Sequence, residues 1–354
     1  NALSAVLPRM FQKIEHYTEL LLPDYLLREG SVIEVMIAEI SESDWDVSDG
    51  GQIEILGWLY QYYISEKHEE VVNAIGKKTV EKENVPAATA LFTTDWVVRY
   101  IIDNSVGKYW IERNPNSKLA DELEFYIDAD STNEISESIT PEQLTVIDPS
   151  MGSAHFGLYA FEVLLKIYLE YGYTEREAVG SIVENNLFGL DIDDRSAQIA
   201  YFAIMMKAMQ YDRRFLKRGI QPKFYSIQES NHIDRFALDF FVNGDKKLLR
   251  DIESIIDDFK DAKEYGSIIH VRPVDFGALY DRFDEIQSGK DISLYSWTVL
   301  EQLLPLVNVA EIMSRKYAVV ATNPPYLNKF DAKLKDFINK NYKDYSGDLF
   351  SVFM

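Results

Sequence analysis

Apolar and polar positions along this chain keep two different rhythms. Over residues 3 to about 75 the apolar positions recur at three and four: Leu20, Leu21, Tyr25 and Leu26, then Val32, Val35 and Met36, with Pro23 and Gly30 as breaks. That is the spacing of helices with one buried face. An Asp49-Gly50-Gly51 turn precedes the aromatic run of residues 53–64, which predicts a further helix whose apolar stripe is read as core. Residues 76–90 are polar, carry Lys77, Lys78 and Lys82 among acidic neighbours, and predict a loop. Thr93-Thr94-Asp95 then offers an N-cap for a helix through Trp96, Val97, Tyr100 and Ile101.

The rhythm changes after residue 143. Residues 112–143 are polar and acidic, with scattered Asn, Ser and Pro, and predict a surface insertion. Beyond them, short fully apolar runs alternate with helical patterns. Strands are expected at 144–147, 187–190, 223–227 and 317–322, and helices at 157–171, 174–185 and 195–209, the second opened by a Thr174/Glu177 capping box. Residues 232–315 read as a largely helical, charged insertion. Apolar strands alternating with helices predict an α/β fold: a doubly wound, mostly parallel, Rossmann-like sheet preceded by a helical N-terminal region over residues 1–90.

Composition narrows the chemistry. The 354 residues are 47% hydrophobic, enough for a substantial core, and no run approaches the roughly 18 apolar residues that span a bilayer. Zero cysteines exclude disulfides, thiolate nucleophiles and cysteine metal sites, in keeping with a reducing cytoplasm. The five histidines, His16, His68, His155, His232 and His270, form no ligand pair, so no metal is expected. A net charge of −22 is the opposite of a nucleic-acid-binding surface. Either the partner is no polyanion or the basic part of the machine lies elsewhere. The chain opens at Asn1 and stops at Met354 inside an apolar run, which predicts a piece of a longer protein, with the sheet incomplete.

Three strand ends carry residues that a plain fold does not demand. Asp148-Pro149-Ser150-Met151-Gly152-Ser153-Ala154 is a small-residue turn between strand and helix, where backbone approaches a ligand closely. It matches neither the dinucleotide glycine signature nor a P-loop. Asp191, at the end of the second strand in Gly189-Leu190-Asp191-Ile192-Asp193-Asp194, suits the two hydroxyls of a ribose, while Asp193 or Asp194 suits a helix cap. Together they read as a site for a nucleoside without phosphates, such as S-adenosylmethionine. Asn323-Pro324-Pro325-Tyr326 follows the last apolar strand; its prolines force an extended backbone. Such a segment aims the Asn323 side chain and the Pro324 carbonyl into a cleft as two acceptors for a planar amine, with Tyr326 to stack on the ring that bears it.

Phe92-Thr93-Thr94-Asp95, the Asp148 turn, Gly189-Leu190-Asp191 and Asn323-Pro324-Pro325-Tyr326 resemble, in this order, the motif series of the amino-methylating DNA adenine methyltransferases. The stretches 54–67 and 91–107 resemble more narrowly the PglX-like adenine methyltransferases of BREX phage-defence systems. The resemblance covers most of the chain from about residue 50. It implies a catalytic domain over 91–354 that binds S-adenosylmethionine and methylates the exocyclic amine of adenine in double-stranded DNA. It implies that Phe92 and Thr93 touch the methionine part of the cofactor and that Asp148, with Pro149, Gly152 and Ser153, faces its amino group through nearby backbone. Asp191 would hold the ribose, and Ile192 would flank the cofactor's adenine with Glu229. Asn323, Pro324, Pro325 and Tyr326 would hold the flipped target base. Two departures stand out, Thr94 for a usual Pro and Ala154 for a third small Gly. Asp348-Leu349-Phe350 resembles the start of the next motif, so the C-terminal target-recognition domain is expected beyond this chain.

DNA contact would then fall to that recognition domain and to the basic run Lys329, Lys333, Lys335, Lys340 and Lys343; other defence-system proteins are expected partners. A second cluster, Arg213, Arg214, Lys217 and Arg218, reads as a solvated face. The tetrapeptide at Asn323 also occurs in enzymes that methylate protein glutamine or RNA bases, so it does not separate the substrates. A non-catalytic subunit that only binds DNA or cofactor is a third reading. No nuclease is expected, since the only Pro-Asp pair is the distant Pro23-Asp24.

Overall fold

A computed structural model describes residues 7, 9, 10, 28, 30–41, 43, 53, 55–75, 80, 84–89, 93–128, 137–289 and 294–353. The expected helix around Leu20 to Leu26, the Asp49 turn, Lys77, Lys78, Lys82 and Phe92 lie outside the described residues. Among those described, four strands form one parallel sheet: β1 (Val146–Asp148), β2 (Leu187–Asp191), β3 (Lys223–Ser226) and β4 (Val319–Val320). Their order is β3-β2-β1-β4. The chain therefore winds from β1 to β3 in one direction and then crosses to the other side of β1. Loops leaving β1 and β4 diverge at that reversal, and a crevice opens at the carboxyl ends of the strands.

The longer helices are α1 (Val32–Glu39), α2 (Ile55–Ile75), α3 (Asp95–Ile102), α4 (His155–Tyr171), α5 (Glu175–Ser181), α6 (Asp194–Tyr211), α7 (Arg235–Val242), α8 (Lys246–Asp258), α9 (Phe276–Ser288), α10 (Leu294–Ser314) and α11 (Ala332–Asn341). The alternation of strand side chains assigns them to layers. Val146 and Leu187 enter a core with α3, α4 and α6, whereas Ile147, Phe188 and Leu190 point the other way, into a core with α7, α8, α9 and α10. Residues 232–315 thus supply the second layer of the sheet. Apolar on both sides, β1 and β2 are buried as parallel strands require. In α4 nine apolar side chains, Phe161 and Ile167 among them, are buried, each contributing roughly 1–3 kcal/mol.

Part of the acidic surplus is spent at helix starts. Asp193, Asp234, Asp245, Asp275 and Asp331 each cap the amides that open α6, α7, α8, α9 and α11, at about 1 kcal/mol apiece. The Thr174/Glu177 capping box opens α5 as expected. Two regions depart from expectation. The segment 76–90 contains the short helix Val85–Thr89, with Val85 and Ala87 buried. In the segment 112–143, Leu119, Leu123 and Ile139 are buried in the first core beside Trp110, because scattered apolar positions suffice to pin an irregular chain. The last strand is shorter than the apolar run suggests, yet its ladder continues, with the Ala321 amide donating to Ile147 (3.0 Å).

The entry to the two central strands rests on Asn186, which is fully buried. Its amide nitrogen donates to the carbonyls of Pro141 (2.7 Å) and Leu144 (2.9 Å), ahead of β1, and its oxygen accepts from Tyr168 (2.8 Å) on α4. Replacing Asn186 by Leu withdraws three buried hydrogen bonds, so a stability loss of about 2–4 kcal/mol is expected from the urea midpoint at constant slope. A loss below about 1 kcal/mol would show that the network is not holding the strands.

Candidate active site at the sheet's switch point

The turn after β1 is shaped by backbone that few residues adopt. Gly152 (φ +52°) and Ala154 (φ +70°) both lie in the left-handed region, and α4 starts directly after them without a side-chain cap. Ala154 bears that conformation at a cost of roughly 1–2 kcal/mol with its methyl group fully buried. The Met151 amide donates to Leu190 (2.9 Å), binding the turn to β2. Gly189 is required there: a Cβ would lie 2.4 Å from the Met151 sulfur and 2.7 Å from the Phe224 ring.

Asp191 joins the turns after β1 and β2. Its carboxylate accepts from the Gly152 amide (2.8 Å) and the Asp193 amide (2.9 Å). Each oxygen keeps lone pairs toward the cleft for further donors. Burial pushes this carboxyl up to about 6, against the pull of those two amides. Asp193 caps α6 through the Ser196 amide (3.0 Å) and also accepts from the Tyr60 hydroxyl on α2.

Asp148 is 4% exposed, under the floor that Pro149 and Ser150 make. One oxygen accepts from the Ser150 amide (3.1 Å); the other, Oδ2, is buried with no hydrogen-bond partner. Desolvation dominates and pushes the group up to about 7, opposed by Thr322 and the Ser150 amide and helped by the Asp191 charge. A buried acceptor without a donor is costly, and a bound ligand bearing N–H groups would relieve it.

The loops after β1 and β4 are clasped across the crevice. Ser150 Oγ lies 2.7 Å from Thr322 Oγ1 and 3.3 Å from the Asn323 carbonyl, to which it donates. The Asn323 side chain donates through Nδ2 to Thr93 Oγ1 (3.0 Å), just before α3. With its nitrogen so engaged, Oδ1 remains as an acceptor. Pro324 is buried, Pro325 lines the cleft, and Tyr326 is 55% exposed, stacked on Phe350 at 5.3 Å and 11°.

These groups surround one cleft of about 1110 Å³, open mouth included. Pro149, Ser150, Gly152, Ser153, Asp191, Ile192, Asn323 and Pro325 line it, all but Ser150 named as site residues from sequence. Thr93 and Asp148 do not line it, but each is hydrogen-bonded to a residue that does, Thr93 to Asn323 and Asp148 to Ser150. Glu229 does not line it; its carboxylate accepts from the Lys263 amide (3.1 Å) and so holds the start of a segment that does, residues 264–267. That segment and the α2 side chains were missed by sequence reasoning, and Phe350 was read only as part of the Asp348-Leu349-Phe350 motif, not as a neighbour of Tyr326. Of the missed residues α2 left a signal, its three-and-four spacing, read as core. Of the basic run, Lys333 turns onto Asp261 (3.6 Å) and Glu264 (3.9 Å), whereas Lys335, Lys340 and Lys343 are exposed. Among the described residues no cluster of three or more His, Asp or Glu is placed to hold a metal, and no helix is long and apolar enough to cross a membrane.

Because its folded-state value lies above the usual carboxylate value, ionised Asp148 costs stability, and native stability contributed by this group falls as pH rises from about 4 to about 7. Asp148→Asn, which does not ionise, should gain on the parent in melting temperature across that window. A melting difference independent of pH would contradict the buried-charge assignment.

Comparison with known proteins agrees with this geometry. Residues 185–354 match the family model of the Eco57I restriction-modification methylase. The whole chain aligns at 38% identity with the adenine-specific methyltransferase BrxX of Escherichia coli O9:H4 (strain HS), and at 34% with the adenine-specific methyltransferase PglX of Lacticaseibacillus casei (strain Zhang). In both cases it spans 31% of the relative's length. With a Rossmann-like methylase sheet and an Asn323 loop at its switch point, the chain belongs with the BrxX- and PglX-type adenine-specific methyltransferases, its second half being an Eco57I-type methylase domain.

Proposed function

We propose that this chain is the catalytic part of an S-adenosylmethionine-dependent enzyme that methylates the exocyclic amine of adenine in double-stranded DNA. In this reading it marks the cell's own DNA in a BREX-like phage-defence system in the cytoplasm. The observation that carries the proposal is the clasp: Ser150 bonds Thr322 and the Asn323 carbonyl, and Thr93 accepts from the Asn323 side-chain amide, beside a cleft that Asn323 and Asp191 both line. Residues 1–90 would form the helical N-terminal region and 91–354 the catalytic domain, with target recognition in the further length that its relatives possess.

The cleft fits the cofactor by its chemistry. Asp191, Asp193 and Glu264 line it and, among the described residues, no Lys or Arg does, which suits a cationic ligand without phosphates. Asp148 Oδ2 would take an ammonium proton, Asp191 the ribose hydroxyls, and Ile192 one face of an adenine. When bound, S-adenosylmethionine supplies a methyl group on a positively charged sulfur. Asn323 Oδ1 and the Pro324 carbonyl would accept the two amine hydrogens, drawing the nitrogen toward tetrahedral geometry and freeing its lone pair. Phe350 covers one face of Tyr326, which leaves the other for the target base. Once methylated, the nitrogen would carry one hydrogen too many, and that proton would pass from the nitrogen to water. This is rate enhancement by orientation and preorganised acceptors.

The acidic surface makes DNA contact depend on few groups, and Lys335, Lys340 and Lys343 stand exposed on and just after α11, whose Leu334 lines the cleft with Asn323. The adenine specificity of the relatives favours DNA over protein glutamine. The test is transfer of a labelled methyl group from S-adenosylmethionine by the intact protein to duplex DNA, RNA and protein in parallel, followed by digestion to single nucleosides. Label in N6-methyladenine of DNA is expected, and Asn323→Ala should reduce it by about 10²-fold or more. Label in RNA or protein instead, or transfer that survives Asn323→Ala, would overturn the proposal.

A further inference from the structure

We infer that α2, in the N-terminal helical region, is a working wall of the cofactor site, and that Gln61 contacts the nucleoside half of the cofactor. The inference rests on the cofactor reading above. Gly57, Tyr60, Gln61 and Ile64 stand at positions i, i+3, i+4 and i+7, one face of a helix. All four line the cleft rather than a core.

Two contacts set this face in place. A Cβ on Gly57 would lie 2.5 Å from Ser153 Oγ and 2.8 Å from Ser153 Cβ, so only glycine lets α2 come this close to the turn after β1. One turn further along, the Tyr60 hydroxyl donates to Asp193, in the turn after β2. Burial and that carboxylate push the Tyr60 phenol well above its ordinary range, so it stays a donor at any physiological pH. Tyr63 and Arg195 add a second tether, 3.5 Å from hydroxyl to guanidinium. The helix therefore bridges the two turns that hold the cofactor's parts.

Gln61 lines the same cleft as Asp191 and Ile192 at the end of β2. Its side chain is exposed to the cleft and carries both a donor and an acceptor. That pairing suits ribose hydroxyls or the edge of an adenine, neither of which the Asp191 carboxylate satisfies alone.

The test is calorimetric binding to the intact protein of S-adenosylhomocysteine and of 5′-methylthioadenosine, which lacks the amino-acid half. Gln61→Ala, on an exposed position, should melt as the parent does and weaken both ligands by the same factor, about 3- to 10-fold for one hydrogen bond. Gly57→Ala should weaken both by about tenfold or more, and Glu66→Ala, on the opposite face, should change neither. Gln61→Ala binding both ligands within twofold of the parent would overturn the inference while leaving the cofactor reading intact. A loss confined to S-adenosylhomocysteine would overturn the nucleoside assignment. A parent protein that binds neither ligand would overturn the cofactor reading and this inference together.

Discussion

A single serine hydroxyl joins the two halves of this site. Ser150 leaves β1, and Thr322 and Asn323 leave β4, on the two sides of the point where the sheet reverses its winding. Parallel strands on either side of such a reversal send their connections apart, and nothing in the sheet's own ladder fixes the loops relative to each other. The Ser150 clasp does, and Thr93 adds a third fixed point on the Asn323 amide. The position of the Asn323 side chain depends on that spacing, and positioning a group is itself a large source of rate.

The buried carboxylates explain why so acidic a protein can serve this chemistry. Asp148 is buried and Asp191 is half-buried beside the cleft, and desolvation raises the pKa of each. Such charges are costly alone, and a neighbouring cation would offset that cost. Other acids cap helices, where the amides offset their desolvation.

Much of the framework was legible in the sequence because its signals were local. Fully apolar runs such as residues 187–190 announce buried parallel strands, and a Thr174/Glu177 pair announces a helix start. The turns at Asp148, Asp191 and Asn323 were readable because strand ends in such sheets bind ligands and their residue types were unusual. What stayed hidden was tertiary. The face of α2 carrying Gly57, Tyr60, Gln61 and Ile64 has the same spacing whether it meets a core or a cleft. Glu229 lies after β3 where a cofactor contact was expected, yet the chain returns through residues 264–267 and takes the cleft position instead. Phe350 meets Tyr326 from 24 residues away, a pairing no periodicity encodes.

The most direct test is methylation-sensitive sequencing of DNA from cells that carry the complete gene beside its genomic neighbours, with Asn323→Ala as the only difference between two strains. The clasped site predicts methyl-adenine at one sequence motif in the parent strain and none in the variant. Identical methylation in both strains, or none in the parent despite expressed protein, would contradict it.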